Sequence, residues 1–312
     1  MVYFLFALLI VAVLLLIFTY FVFKIVFGPR KERDPREVPN NEQYQVFKEE
    51  TVTMVNSLME RPFEKVEIIS HDALMLRGRW YKGEEDKPTA ILFHGYRGSA
   101  YRDFCGGSAL LFEKNWNVLL VDERSHGMSE GKAITFGIKE KYDVSDWVRY
   151  IEERRGKDKE IYLFGISMGA ATVLMASSIL DKSRVKGIIA DCPYSSPEKI
   201  IAKVMKDIKL VPALLMPFVK LSSLIWGRFS LNTISASEAV EKTDIPILII
   251  HGEDDRFVPS YMSREIYRAN PEMVRYETFP SAGHGLSYMV DNKRYRELVD
   301  EFLSSGVRLT LN

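Results

Sequence analysis

The chain divides by polarity near its start. Met1 to Phe23 carry no charged side chain, and the first charge is Lys24. At about 1.5 Å per residue, a helix over this run reaches roughly 35 Å, enough to cross a hydrocarbon core of ~30 Å with some tilt. A buried core helix rarely runs so long without polar punctuation. A cleaved signal peptide would need a basic start, a shorter apolar stretch and a small-residue cleavage site. Here only Met1-Val2-Tyr3 opens the run and no A-x-A follows it, so the pattern predicts a retained transmembrane anchor over residues 1–27. Residues 1–23 would contact the lipid bilayer. Lys24, Arg30, Lys31, Arg33 and Arg36 all flank its C-terminal side. The positive-inside bias then predicts a single-pass cell-membrane protein with the rest of the chain in the cytoplasm.

Residues 28–43 are polar, with Pro29, Pro35 and Pro39, and read as a juxtamembrane linker. A helix is predicted near Tyr44 to Leu58. Val66–Ser70 and Leu74–Tyr81 then read as a hairpin around His71-Asp72. After it come short, nearly all-apolar, β-branched runs at 90–94, 117–122, 161–165, 185–190 and 245–251. Such runs fit strands buried on both faces of a parallel sheet. Helical patterns separate them; in Lys139–Arg154, Val144, Trp147, Val148 and Ile151 share one stripe. Strand and helix in this alternation predict a doubly wound α/β sheet. Between Ser195 and Thr243 the rhythm stops, and an apolar helical stretch intervenes. It predicts either a lid over the carboxyl ends of the strands, where such a sheet holds its site, or an ordinary helix pair.

Composition narrows the function class. Across 312 residues, 47% hydrophobic and 27% charged residues describe a folded chain rather than a disordered one. Forty-two basic residues balance 42 acidic ones, which argues against nucleic acid as a main partner. Cys105 and Cys192 are the two cysteines; they form neither a disulfide framework nor a zinc spacing, and they suit a reduced compartment.

The candidate chemistry begins at Gly165-Ile166-Ser167-Met168-Gly169, which follows an apolar strand and opens a small-residue helix. A nucleophilic serine belongs on such a strand-to-helix turn, with glycines two positions to either side giving room for neighbouring backbone. The Met168 N–H then points where an oxyanion would form. Ser167 needs a base. Of the five histidines, His71, His94 and His126 precede it and His251 ends a strand. That leaves His284, between Gly283 and Gly285, in the chain order serine, acid, histidine. For the acid, His251-Gly-Glu-Asp-Asp255 places three carboxylates after a strand; Asp255 is the first choice, Asp254 the second, and Asp191 on the preceding strand the third. The second oxyanion donor is assigned to Tyr96 N–H, in the loop after the 90–94 strand.

These motifs make roughly Glu64 to Phe302 resemble an α/β-hydrolase-fold serine hydrolase. His94-Gly-Tyr-Arg-Gly-Ser99 matches the oxyanion motif, and Asp122-Glu-Arg-Ser-His-Gly-Met-Ser129 resembles the D-x-R-G-H-G-x-S loop. Gly165–Gly169 matches the nucleophile elbow, His251–Pro259 the H-G-x-x-D-x-x-V-P acid loop, and Gly283-His284 the base. Aligning on Gly252 places the family's acid on Asp255. The anchor together with Asp191-Cys-Pro-Tyr-Ser-Ser196 is similar to a membrane-anchored bacterial subgroup related to serine aminopeptidase-like esterases. Two departures stand out: Ser125 replaces a usual glycine, and the H-G-G-G run of lipases is missing.

The resemblance implies a mostly parallel sheet with helices on both faces, a hydrolase domain over 44–312 and a small helical lid over about 196–243. It implies a carboxylic ester hydrolase acting on a small-molecule or acyl substrate through Ser167, Asp255 and His284, with no metal or organic cofactor. A peptidase or thioesterase would use the same machinery. A non-catalytic scaffold is the different-class alternative. Apolar lid residues Leu214, Met216, Phe218, Leu224 and Trp226 suggest a hydrophobic pocket or packing.

Overall fold

The computed structural model describes residues 1–29 and 34–305. Arg30, Lys31 and Arg33, which carry part of the orientation argument, lie outside the described residues.

Eight strands form one sheet: β1 Glu64–Ile69, β2 Met75–Tyr81, β3 Thr89–Phe93, β4 Asn117–Asp122, β5 Ile161–Ile166, β6 Gly187–Asp191, β7 Ile247–Gly252 and β8 Val274–Phe279. Their spatial order is β1-β2-β4-β3-β5-β6-β7-β8. β1 and β2, and β2 and β4, pair antiparallel; every other pair is parallel. The sequence rhythm therefore gave the sheet correctly except at β8. Its Val-Arg-Tyr-Glu-Thr-Phe pattern lacks the apolar run of a central strand, because an edge strand keeps one face half-wet. The five central strands are buried along nearly their whole length.

The described helices are α1 Val2–Val26, α2 Glu42–Gln45, α3 Lys48–Glu60, α4 Ala100–Phe104, α5 Gly107–Glu113, α6 Glu140–Arg155, α7 Met168–Ala176, α8 Pro197–Asp207, α9 Pro212–Ser222, α10 Ala236–Val240, α11 Tyr261–Ala269, α12 Ser287–Val290 and α13 Asn292–Ser305. A π-helical turn, Ser223–Gly227, continues α9. The single helix expected near Tyr44–Leu58 is split into α2 and α3, and the Asn41 side chain caps α2 by accepting from Gln43 N–H. Two apolar clusters cover the two faces of the sheet, one around Trp147 and α7, the other around Leu111, Phe279 and α13.

β3 is followed by β4 on one side and β5 on the other, so the chain reverses its winding between β3 and β5. The crevice outside the carboxyl ends at such a reversal is where open α/β sheets place their ligands. The loops leaving β3 and β5 are the ones that the oxyanion and nucleophile motifs occupy.

The α1 helix is long and apolar enough to cross a membrane. Its C-terminal end is built into the domain. Phe27 is fully buried among Phe23, Phe136 and Phe229, and its carbonyl accepts from Ile134 N–H at 2.7 Å. Burying one such ring contributes about 2–3 kcal/mol. The described part of the expected linker also lies on the domain: Arg102 donates to Glu37 O at 3.4 Å and Gln43 to Asp254 O at 3.4 Å.

Candidate active site

Ser167 sits between β5 and α7 at φ 56° and ψ −112°, a conformation that a non-glycine residue adopts only when the surroundings impose it. The flanking glycines show what imposes it. A Cβ at Gly169 would lie 1.9 Å from Phe93 O, and one at Gly165 would lie 2.4 Å from Gly169 O. The turn is thus pressed against β3 and against itself. Ser167 N–H donates to Asp191 O at 2.8 Å, which ties the elbow to β6.

The structure brings Ser167, His284 and Asp255 together. His284 Nε2 lies 2.9 Å from Ser167 Oγ, and His284 Nδ1 lies 2.7 Å from Asp255 Oδ2. A carboxylate only accepts, so Nδ1 carries the proton and Nε2 is left to accept from the hydroxyl. The Asp255 side chain is completely buried. Its Oδ1 accepts from Phe257 N–H and Val258 N–H at 2.9 and 2.8 Å. Burial alone would raise its pKa, but the electrostatic pull of His284 and hydrogen bonds from two imidazoles hold the carboxyl well below the usual range. The second imidazole is His251, whose Nε2 lies 3.2 Å from Asp255 Oδ2 and also donates to Val258 O at 2.8 Å. Sequence reasoning placed His251 only as a strand end. A Cβ at Gly252 would lie 2.2 Å from Ala282 O, so the glycine after that histidine is what lets the acid loop and the base loop touch.

The other two carboxylates are placed differently. Asp254 is exposed, and its N–H donates to Ala282 O. Asp191 is buried and close to Tyr295, and burial pushes it up to about 6. Its Oδ1 has no partner among the described residues.

The oxyanion loop is held from several sides. Gly95 N–H donates to Asp103 Oδ2 at 2.8 Å, and a Cβ at Gly95 would lie 3.3 Å from Ser167 Cβ. Tyr96 follows Gly95 and lines the same cavity as Ser167. Its ring stacks on Phe136 and its hydroxyl donates to Val26 O at 2.7 Å. Met168 opens α7, so its N–H is among those with no acceptor inside the helix.

Two histidines clamp this loop to the loop after β4. Glu123 N–H donates to His94 Nε2 at 3.1 Å, Arg97 N–H donates to His126 Nε2 at 2.9 Å, and the rings meet edge to face at 4.8 Å. Each Nδ1 lies 2.9 Å from a backbone carbonyl, so each ring is neutral with its proton on Nδ1. Burial, with His94 beside it, pushes His126 down to about 3. The unfolded imidazole titrates near 6.5, so the unfolded chain takes up the proton first as pH falls. Stability is complete above that value and declines below it, by about 2 kcal/mol at pH 5 from this residue. The melting temperature should fall across this range in the parent protein, with a shallower slope in His126→Gln, whose amide does not titrate. Equal slopes would mean that His126 is not buried as a neutral acceptor.

Ser125, the departure from the usual glycine, has φ 65°, which explains why glycine suits the position. Its Oγ donates to Ala133 O at 2.9 Å, a bond that glycine could not make. Arg124 of the same loop bonds both Asp143 and Asp72.

A cavity of about 190 Å³ opens beside Ser167 and His284. Val38, Pro39 and Tyr44 line it from the N-terminal segment, and Tyr288 and Tyr295 from the C-terminal helices. Tyr44 also donates its hydroxyl to His284 O at 2.6 Å. Nothing in the spacing of Tyr44 points to that role. None of the five apolar lid residues named from the sequence lines the cavity.

Two clusters have the composition of metal ligands among the described residues: Cys192, Asp255 and His284, and His71, Asp143 and Asp146. In the first, burial pushes the Cys192 thiol well up, whereas metal binding needs the thiolate. In the second, Asp143 is held by Arg124, and Asp146 by Arg149 and the His71 N–H. Neither donor set suits a resident metal.

A model of the alpha/beta hydrolase fold matches residues 88–217. An uncharacterised Bacillus subtilis protein is 27% identical over 197 residues, covering 63% of this chain and 65% of that one. A thiohydrolase of Aspergillus aculeatus is 36% identical over 157 residues, 48% of each chain. The chain thus spans less than two thirds of the length of these relatives. An esterase of Pyrococcus furiosus superposes with a TM-score of 0.66 at 27% identity, covering 89% of this chain and 99% of that one.

Proposed function

We propose that this chain, a hydrolase that belongs to the α/β-hydrolase fold family, is a membrane-tethered serine esterase. The observation that carries the reading is the line Ser167 Oγ, His284 imidazole, Asp255 carboxylate, with separations of 2.9 and 2.7 Å. Ser167 attacks the ester carbonyl while His284 Nε2 takes its proton. Asp255 holds the imidazole in the accepting tautomer and balances the imidazolium that forms. The Met168 and Tyr96 N–H groups hold the oxyanion. Collapse breaks the ester C–O bond, and His284 returns the proton to the departing alcohol. Water then attacks the acyl-enzyme by the same route, releasing the acid and restoring Ser167. No step calls on a metal or organic cofactor.

The substrate is a small molecule with an acyl part that fits the cavity beside Ser167. A thioester is the second reading, favoured by the similarity to the Aspergillus thiohydrolase. The test is hydrolysis by the purified full chain of p-nitrophenyl esters of increasing acyl length, beside the matched thioesters. Faster turnover of oxygen esters supports esterase action, preference for thioesters supports the second reading, and failure to turn over either contradicts serine hydrolysis.

In this reading the α1 helix tethers the domain to the bilayer, and the positive-inside bias of the basic flank supports a cytoplasmic domain. A cysteine introduced as Asn40→Cys should resist an impermeant thiol reagent in intact cells and react after lysis. Equal reaction in intact cells would put the domain outside.

A further inference from the structure

The anchor does not simply lead into the domain; the lid lies alongside it. Phe18 meets Phe218 at 5.2 Å and Tyr20 meets Trp226 at 5.2 Å, both edge to face. Trp226 Nε1 donates to Thr19 Oγ1 at 3.2 Å, and Thr19 donates on to Leu16 O at 2.9 Å. Higher up, Val13, Leu16, Ile17, Tyr20 and Phe21 form a wholly apolar crevice with Trp226. At the domain end, Arg97 donates to Ile25 O and Gly28 O at 2.8 and 2.9 Å. The lid side therefore accompanies α1 from about Val13 to its end.

Length then decides where the lid must be. From Val2 to Val13 a helix rises about 17 Å, roughly half of the ~30 Å hydrocarbon core. The uncovered part alone cannot cross. If α1 crosses, the part beside α9 lies within the bilayer, and α9 goes with it. The outward surface of the lid suits that position. Leu214 is 66% exposed, Val211 59% and Leu224 54%, with Ile225 and Trp226 each 39% exposed. No charge occurs from Leu210 to Val219; Lys209 precedes the stretch and Lys220, paired with Glu198 at 2.7 Å, follows it. This is the arrangement of an apolar segment with cationic ends at the headgroups.

We infer that α9 and the π-helical turn are a second membrane-embedded element, seated in the leaflet beside α1, so that the bilayer covers the outer face of the lid. The inference rests on the membrane-tethered reading above. It also accounts for four of the lid's apolar residues lying away from the cavity: Phe218 and Trp226 pack on α1 and Leu214 and Leu224 face outward, while Met216 is buried in the core. Through Tyr96 and Arg97, the same socket joins the anchor to the oxyanion loop.

The tryptophans supply the test. Trp80, Trp116 and Trp147 are buried, whereas Trp226 is exposed on the lid. The full chain would be reconstituted in phosphatidylcholine–phosphatidylglycerol vesicles, either plain or brominated in the upper acyl chains. Bromolipid should quench part of the tryptophan emission, and that loss should vanish in the conservative variant Trp226→Phe. Unquenched Trp226 in protein that still resists alkaline extraction overturns the lid proposal and leaves the anchor reading intact. Unquenched Trp226 with cross-linked dimers assigns the face to a second copy of the chain and overturns it as well. Protein that leaves the vesicles on extraction overturns the anchor reading itself.

Discussion

Replacing Ser167 with alanine should lower ester turnover by roughly 10⁴ to 10⁶-fold, and His284→Ala should do the same, with the double variant losing little more. The three side chains act as one unit, so removing either member of the serine–imidazole pair removes nucleophile activation entirely. What remains comes from the oxyanion donors and binding. Melting temperature should move little. Ser167 holds its strained backbone because β3 and β6 press on the elbow, and alanine meets the same surroundings. Single-turnover kinetics with a p-nitrophenyl ester, with contaminating esterase removed, is the appropriate measurement. Near-parental rates in either variant would break the assignment.

The second large effect separates the carboxylates. In Asp255→Asn the amide has one acceptor and one donor end. Phe257 and Val258 N–H both need an acceptor, so the amide oxygen turns to them and the NH₂ faces His284. An N–H facing Nδ1 forces the imidazole proton onto Nε2, where it can no longer accept from Ser167. This wrong tautomer costs about 10⁴ in turnover in an analogous triad on an unrelated fold. Asp254→Asn should change turnover little, since that side chain is exposed. Asp191→Asn should act chiefly on stability and its pH dependence, because Asp191 is a buried carboxyl pushed up to about 6. Its ionisation in the folded state carries a penalty that the unfolded chain avoids, so in the parent protein stability is lost as pH rises between its ordinary value and about 6, and Asp191→Asn should remove that loss. Turnover and melting temperature measured for all three variants decide the matter. An active Asp255→Asn with an inactive Asp191→Asn would move the acid to β6.

The parts legible in the sequence are those in which a short stretch carries its own physics. Apolar β-branched runs gave the central strands, and glycine spacing around Ser167 marked a turn where any Cβ would strike backbone. The acid and base loops could be named from chain order and their places after strands, with the family resemblance choosing Asp255; that Gly252 lets the two loops touch is visible only in the fold. Long-range packing was less visible. β8 alternates polar and apolar residues as a short edge strand and lacks the signal of its neighbours. Tyr44 bonds His284 O across 240 positions of sequence, and no local pattern announces such a contact. Phe27 reads as the tail of an apolar run, yet it is a buried residue of the domain. Trp226 and Phe218 read as lid residues that could face either substrate or core, and only the fold shows them against α1. In each case the side chain's environment is made by an element distant in sequence, which composition and periodicity do not record.

The central claim is that Ser167 is a nucleophile activated by His284. Labelling the full chain in membranes with a fluorophosphonate probe, followed by mapping of the modified peptide, tests it most directly. Phosphonylation of Ser167 that disappears in Ser167→Ala and falls sharply in His284→Ala is the predicted result. An unlabelled parent protein of intact fold, or a label on another serine that persists in Ser167→Ala, would contradict it.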